Sequence, residues 1–277
     1  MTIRQGIPIR DTVLWVEDTG ETDLTPILCL HSLFLDGRMF DDLVPAAAGR
    51  FRVVRPDFRG QGSSAPATQA TVSMECCAAD MIALVEAMRL PPVHLAAASM
   101  GGDVAVRMLA QRPELFRSVV MMGSSVRSEP PEQMANFRGL LDRTREDGFA
   151  GDDLEMMMAI MFGATTRAKV EAQAMLAHWR MRIGLLPRSA WPAMYGVLER
   201  TDAAGLLPSV TVPALVFASE DDIARPIEWS REVVEGIRGA RLVPLRGVGH
   251  SPILEAPSVV IPEMLAFMAA VEQEKQA

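Results

Sequence analysis

Short runs of β-forming residues alternate with segments whose apolar positions recur at helical spacing, and this alternation constrains the fold more than any other feature of the chain. Strand character marks Val13 to Val16, Pro26-Ile-Leu-Cys-Leu30 and Phe51-Arg-Val-Val-Arg55, each followed by turn residues. From Ser73 to Leu90 the apolar residues Met74, Cys77, Met81, Leu84, Val85 and Met88 repeat with helical period, and Val93 to Ala98 then reads as a short buried strand. A helix from Met100 to Gln111, strands at Val119 to Met122, Ala214 to Ala218 and Arg241 to Leu245, a helix near Ile227 to Ile237 and a last helix beyond Pro257 continue the series. Strands separated by helical crossovers pair in parallel and need both faces covered. The pattern therefore predicts an α/β fold with a mostly parallel central sheet flanked by helices.

One stretch breaks the rhythm. Between residues 127 and 207 there are helix-like segments and no convincing strand, and Gly148, Gly151, Gly163, Gly184, Pro187 and Pro192 would cut it into about four short helices. Because the strand pattern resumes at Val212, the expected organisation is one core domain, residues 1–126 and 208–277, carrying a helical cap inserted at 127–207.

Composition narrows the function classes. Of 277 residues 49% are apolar, enough for a sizeable core, and 35 acids against 27 Lys plus Arg leave a formal charge of −8. An acidic chain is poorly suited to neutralising a phosphate backbone, so no nucleic acid is expected as a partner. Apolar runs such as Met156 to Ala164 fall short of the roughly 18 to 20 residues a membrane span requires. The segment Met1 to Arg10 lacks the apolar core of a secretory signal, and a cytoplasmic protein is the expectation. Cys29, Cys76 and Cys77 have neither a disulfide framework nor a metal-ligand spacing, so no metal site is expected.

The chemistry centres on Ala97-Ala-Ser-Met-Gly-Gly102, which lies between a buried strand and a helix. A serine on a sharp strand-to-helix turn is held exposed, and small neighbours allow the backbone to approach closely. Ser99 is thus the candidate nucleophile, with the backbone N–H of Met100, at the helix N-terminus, directed at a developing oxyanion. Serine needs a base. Of the four histidines, His31 and His94 lie in or beside apolar strands and His178 falls in the insertion, whereas His250 sits in a loop, Gly247-Val-Gly-His-Ser-Pro252, between a strand and the last helix. Such a loop can reach the carboxyl edge of a parallel sheet, where functional groups collect. The third member should follow another strand, where Glu220, Asp221 and Asp222 compete.

With these residues the chain resembles the α/β-hydrolase superfamily, whose triad runs in the order Ser, acid, His. The resemblance implies Asp222 as the acid, because in the family's Gly-x-x-Asp-x-x-x-Pro pattern Ser219 takes the Gly position and Pro226 closes the motif. Leu30-His-Ser-Leu-Phe34 is similar to the family's His-Gly-x-x oxyanion loop and implies a second oxyanion donor, the Leu33 N–H. Arg55-Pro-Asp-Phe-Arg-Gly-Gln-Gly-Ser63 resembles a family loop in which Asp57 and Arg59 brace the structure; His31 is read as structural too. Ala97 and Ser32 depart from the pattern, each standing where Gly is usual. The His-Ser-Leu loop and the following Asp36-Gly-Arg-Met-Phe40 are similar to enol-lactonases of the 3-oxoadipate type. Related epoxide hydrolases and haloalkane dehalogenases use Asp at the position of Ser99.

The implied activity is hydrolysis of a carboxylic ester or lactone of a small, largely apolar molecule through an acyl-enzyme, without metal or organic cofactor. Alternatives are a thioesterase, a cofactor-free perhydrolase, or a hydrolase-fold ligand receptor or regulator that signals by cap movement. The chain holds 19 Met beside only ten Phe, four Trp and one Tyr. A Met-rich cap favours an adaptable apolar acyl pocket, expected at Phe34, Met158, Met161, Trp179 and Tyr195. Arg180 and Arg182 are candidates for binding a substrate carboxylate, and the sequence leaves a homo-oligomer open.

Overall fold

The computed structural model describes residues 2–274. The strands are β1 (Ile3–Ile9), β2 (Thr12–Asp18), β3 (Pro26–Leu30), β4 (Arg52–Pro56), β5 (Val93–Ala98), β6 (Phe116–Met122), β7 (Ala214–Ser219) and β8 (Arg241–Leu245). They form one sheet in the order β1-β2-β4-β3-β5-β6-β7-β8. Pairing is parallel from β4 through β8, as the crossover pattern requires, and antiparallel only where β1 meets β2 and β2 meets β4. Strands β3, β5 and β7 are buried along their whole lengths, which is why they read as continuous apolar runs.

The helices of the core are α1 (Leu43–Ala47), α2 (Met74–Ala87) and α3 (Met100–Gln111), and, after the insertion, α9 (Ile227–Gly236), α10 (Pro252–Glu255) and α11 (Pro257–Glu274). Helix α2 starts where Ser73 Oγ accepts from the Cys76 N–H at 3.1 Å, a side-chain cap for one of the otherwise unpaired amides. No helix among the described residues is long and apolar enough to cross a membrane.

Between β6 and β7 the chain is helical: α4 (Pro131–Asp147), α5 (Gly151–Met161), α6 (Ala164–Ala168), α7 (Gln173–Gly184) and α8 (Trp191–Leu198). Five helices stand where about four were expected from the breaker residues. Pro192 does not break a helix. It occupies the first turn of α8, where a missing N–H costs nothing. Helix α8 docks this region on the core: the Val72 N–H donates to Pro192 O at 2.9 Å, and a Cβ at Gly196 would come within 1.7 Å of the Val72 carbonyl oxygen.

Candidate active site

Three loops at the carboxyl ends of parallel strands bring the site together. Ser99 leaves β5 with φ +49° and ψ −114°, a strained conformation for a residue with a Cβ, and α3 begins at the next residue. The turn is possible because α3 presses onto β3: a Cβ at Gly101 would lie 2.2 Å from the Leu30 carbonyl oxygen. Ala97 sits within β5, so the missing glycine of the elbow is replaced by an extended strand residue.

His250 follows β8 and Asp222 follows β7. His250 Nε2 is 2.8 Å from Ser99 Oγ, and Nδ1 is 2.9 Å from Asp222 Oδ2 and 3.1 Å from Oδ1. All three side chains are buried. Asp222 Oδ1 also accepts from the backbone N–H groups of Ala224 (2.9 Å) and Arg225 (2.8 Å), which fixes the carboxylate toward the imidazole. The competing acids point elsewhere: Asp221 accepts from Thr165 Oγ1 at 2.7 Å, and Glu220 lies exposed near Arg246. A carboxylate on Nδ1 and a hydroxyl on Nε2 are the partners of a general base that shuttles the serine proton.

The remaining histidines have structural partners. His31 Nδ1 donates to Ser32 O at 2.8 Å while Nε2 accepts from the Phe58 N–H at 2.9 Å, so both ring nitrogens are engaged by the backbone and neither is bonded to Ser99. His94 lies between Ser118 Oγ and Glu272, and the exposed His178 packs edge-on against Trp179. Asp57 accepts from the N–H groups of Gly37 and Ser63, and Arg59 pairs with Asp80 and Asp11, the bracing positions implied by the sequence. In the loop after β3 the left-handed residue is Phe34, φ +70°; Ser32 avoids that region, so a serine fits where the family usually has glycine.

A cavity of about 460 Å³ opens onto Ser99 and His250. Its apolar wall includes Leu33, Phe34, Phe137, Leu140, Ile160 and Met161. Of the five pocket candidates, Phe34 and Met161 line this cavity. The other three pocket candidates do not line this cavity. Met158 faces a separate depression with Leu176 and Arg180, because on α5 it lies on the opposite side from Met156 and Ile160. Tyr195 lies over another surface groove, its hydroxyl donating to Asp142 at 2.6 Å, and Trp179 is buried beneath Arg182. The two candidate carboxylate binders are likewise engaged elsewhere: Arg180 pairs with Glu155 and Arg182 with Asp36, and neither lines the cavity.

What the sequence did not reveal is a chain of buried charges beneath the site. Glu129, which lines the cavity, accepts from Arg225 at 2.7 Å and from Arg200 at 2.5 Å; Arg200 approaches Asp103 at 3.7 Å, and Asp103 accepts from Arg107 at 2.5 Å. These residues are scattered from α3 to the loop after β7, so no local motif announces them. Arg225 alone carried a signal, lying between Asp222 and Pro226. Burial pushes Asp103 up to about 6, against the pull of Arg107 and Arg200, while Arg225 and Arg200 together hold Glu129 below the ordinary carboxylate range despite its own burial.

The sign of the Asp103 effect is testable. Its folded value lies above the unfolded one near 3.8, so the folded state binds more protons between about pH 4 and 6, and this group adds stability as pH falls through 6. Asn at this position cannot take up that proton. The Tm of Asp103→Asn relative to the native protein is expected to be lower at pH 5 than at pH 7.5, by calorimetry in matched buffers. A difference independent of pH contradicts the assignment.

The parallel sheet, the inserted helices and the Ser-His-Asp geometry at the strand ends together define a serine hydrolase. The family model described as alpha/beta hydrolase fold matches residues 25–257, and the chain belongs to that family. It is 26% identical to an esterase from Thermogutta terrifontis, with a TM-score of 0.87 covering 97% of this chain and 99% of that one. The enol-lactonase from Burkholderia xenovorans LB400 shares the fold, with TM-score 0.87, 22% identity and coverage of 96% and 100%. The non-heme chloroperoxidase of Streptomyces lividans is 25% identical, over 93% of this chain and 96% of its own length.

Proposed function

We propose that the protein hydrolyses carboxylic esters or lactones of small molecules whose acyl part is largely apolar. The observation that carries this reading is a triad within hydrogen-bond distance that opens directly on a cavity with an apolar wall. In the proposed cycle His250 Nε2 takes the proton of Ser99 Oγ as that oxygen forms a bond to the substrate carbonyl carbon, and the carbonyl π pair moves to oxygen. The N–H groups of Leu33 and Met100 are assigned to that oxyanion. Met100 opens α3 and Leu33 lines the cavity, which supports this assignment. Collapse expels the alcohol, protonated by His250. Water then attacks the acyl-enzyme with His250 again as base, releasing the acid and restoring Ser99.

Asp222 orients the imidazole and stabilises its cation. The helices from α4 to α8 are assigned as the cap, since Phe137, Leu140, Ile160 and Met161 close the acyl side of the cavity. The three cysteines are unpaired, which suits a reducing cytoplasmic setting. If the apolar wall receives the acyl chain, kcat/KM for p-nitrophenyl esters rises about tenfold from acetate to butyrate, since each buried methylene contributes about 0.8 kcal/mol. A flat series, or a preference for a charged succinyl ester, contradicts the acyl assignment.

A further inference from the structure

The loop that carries His250 is held by one carboxylate with no place in the triad. Glu255, on α10, accepts from the backbone N–H groups of Gly249 (3.0 Å, Oε2) and Ser251 (2.9 Å, Oε1), the residues on either side of the histidine. The same Oε2 accepts from the Gly163 N–H at 2.9 Å, at the junction of α5 and α6 in the inserted region. A helix cap alone would account for the Ser251 bond. It would not account for Gly163, 92 residues away in sequence.

The neighbouring contacts show that this junction is a built one. A Cβ on Gly249 would lie 2.1 Å from the Gly163 nitrogen, and one on Gly163 would lie 2.8 Å from the Gly249 nitrogen. Two backbones therefore meet face to face, with both N–H groups turned to one carboxylate oxygen. Ser251 Oγ adds a bond of 2.8 Å to the carbonyl of Met161, itself a wall residue of the cavity. Each of these groups is an amide or hydroxyl removed from water, and a charged acceptor is the strongest partner for it. Without the carboxylate, three N–H groups at the junction lose their acceptor, and the imidazole loses the fixed peptides on both its sides.

We infer that Glu255 is a second positioning residue of the catalytic base beside Asp222, clamping the His250 loop to the inserted helices so that the imidazole is held between Ser99 and Asp222 while the acyl wall stays closed. The inference rests on the proposed hydrolase reading for its kinetic arm only. Gln at this position keeps one acceptor oxygen but presents an amide donor to the other N–H; Ala removes both acceptors.

The test compares the native protein with Glu255→Gln and Glu255→Ala on p-nitrophenyl butyrate, well below each Tm, with the folded fraction measured by circular dichroism. In Glu255→Ala, kcat is expected to fall on the order of 100-fold, the scale set by a displacement of about 1 Å, with KM changing less than about threefold. Glu255→Gln is expected to fall in between. A second readout needs no turnover: a downfield proton resonance from His250 Nδ1–H is expected in the native protein, since Nδ1 faces Asp222 at 2.9 Å, and it is expected to broaden or vanish in Glu255→Ala. An unchanged kcat per folded molecule with an unchanged resonance overturns the inference and reduces Glu255 to a helix cap. If the native protein hydrolyses no ester yet the resonance responds, the functional reading fails and the positioning role stands.

Discussion

Ser99→Ala is expected to lower kcat for any ester the native protein cleaves by about a millionfold, the scale found when the serine or histidine of a triad is removed. The reason is geometric. Ser99 Oγ is the hydroxyl 2.8 Å from His250 Nε2, raised into the cavity by a turn whose φ of +49° no extended strand or helix would provide. Alanine keeps that turn and the surrounding packing, so the loss should come with an unchanged fold and little change in Tm. Ser32 and Ser125 lie nearby, Ser32 in the cavity wall itself, but His250 is directed at neither. Steady-state turnover by Ser99→Ala, purified free of background esterase, is the measurement. Activity above about one part in a thousand would mean that water or another serine attacks the carbonyl.

Asp222→Asn is expected to cost about 10,000-fold in kcat, with KM little changed, while Asp221→Asn stays within about threefold of the native enzyme. Asp222 does two things that Asn cannot. As an anion it stabilises the imidazolium formed when Ser99 loses its proton, and as a pure acceptor it requires the proton of neutral His250 to sit on Nδ1, leaving Nε2 free to act as base. An Asn amide can donate to Nδ1 and so favour the wrong tautomer. Asp221 differs by one residue, yet its carboxylate accepts from Thr165, while the Nδ1 of the histidine is bonded to Asp222. The two variants in parallel therefore test the register of the acid, and the reverse outcome would place the acid one position earlier.

The strand and helix alternation was legible because buried parallel strands have few ways to be written. Pro26-Ile-Leu-Cys-Leu30 and Ala214-Leu-Val-Phe-Ala218 are apolar on both faces and cannot be amphipathic helices of that length. Strand β1 was invisible for the opposite reason. Ile3-Arg-Gln-Gly-Ile-Pro-Ile9 is a largely exposed edge strand, whose Gly and Pro weaken the pattern, and its place is set by pairing with β2 across a turn at Arg10.

The triad was readable from local motifs, since each member lies in a short turn just beyond a strand. The pocket was less so. Met156, Met158, Ile160 and Met161 are equivalent as composition, but a helix turns about 100° per residue, so which of them faces Ser99 depends on how α5 is rotated over the core. That rotation is fixed by contacts such as those of Gly163 with Gly249, far apart in the chain. The same distance hides the Glu129 and Arg225 pair, which joins Gln133, Asn136 and Arg143 in the polar part of the cavity lining. Arg180 and Arg182 illustrate the converse: cationic side chains in a helical insertion that found carboxylates of their own at Glu155 and Asp36.

The central claim is that Ser99 is a nucleophile activated by His250. Incubation with a serine-directed fluorophosphonate, followed by peptide mass spectrometry, tests it most directly. One adduct per chain on the peptide containing Ser99 is the predicted result, with labelling lost in Ser99→Ala and strongly slowed in His250→Ala. An adduct on another residue, or continued ester turnover by a protein that takes no label, would contradict it.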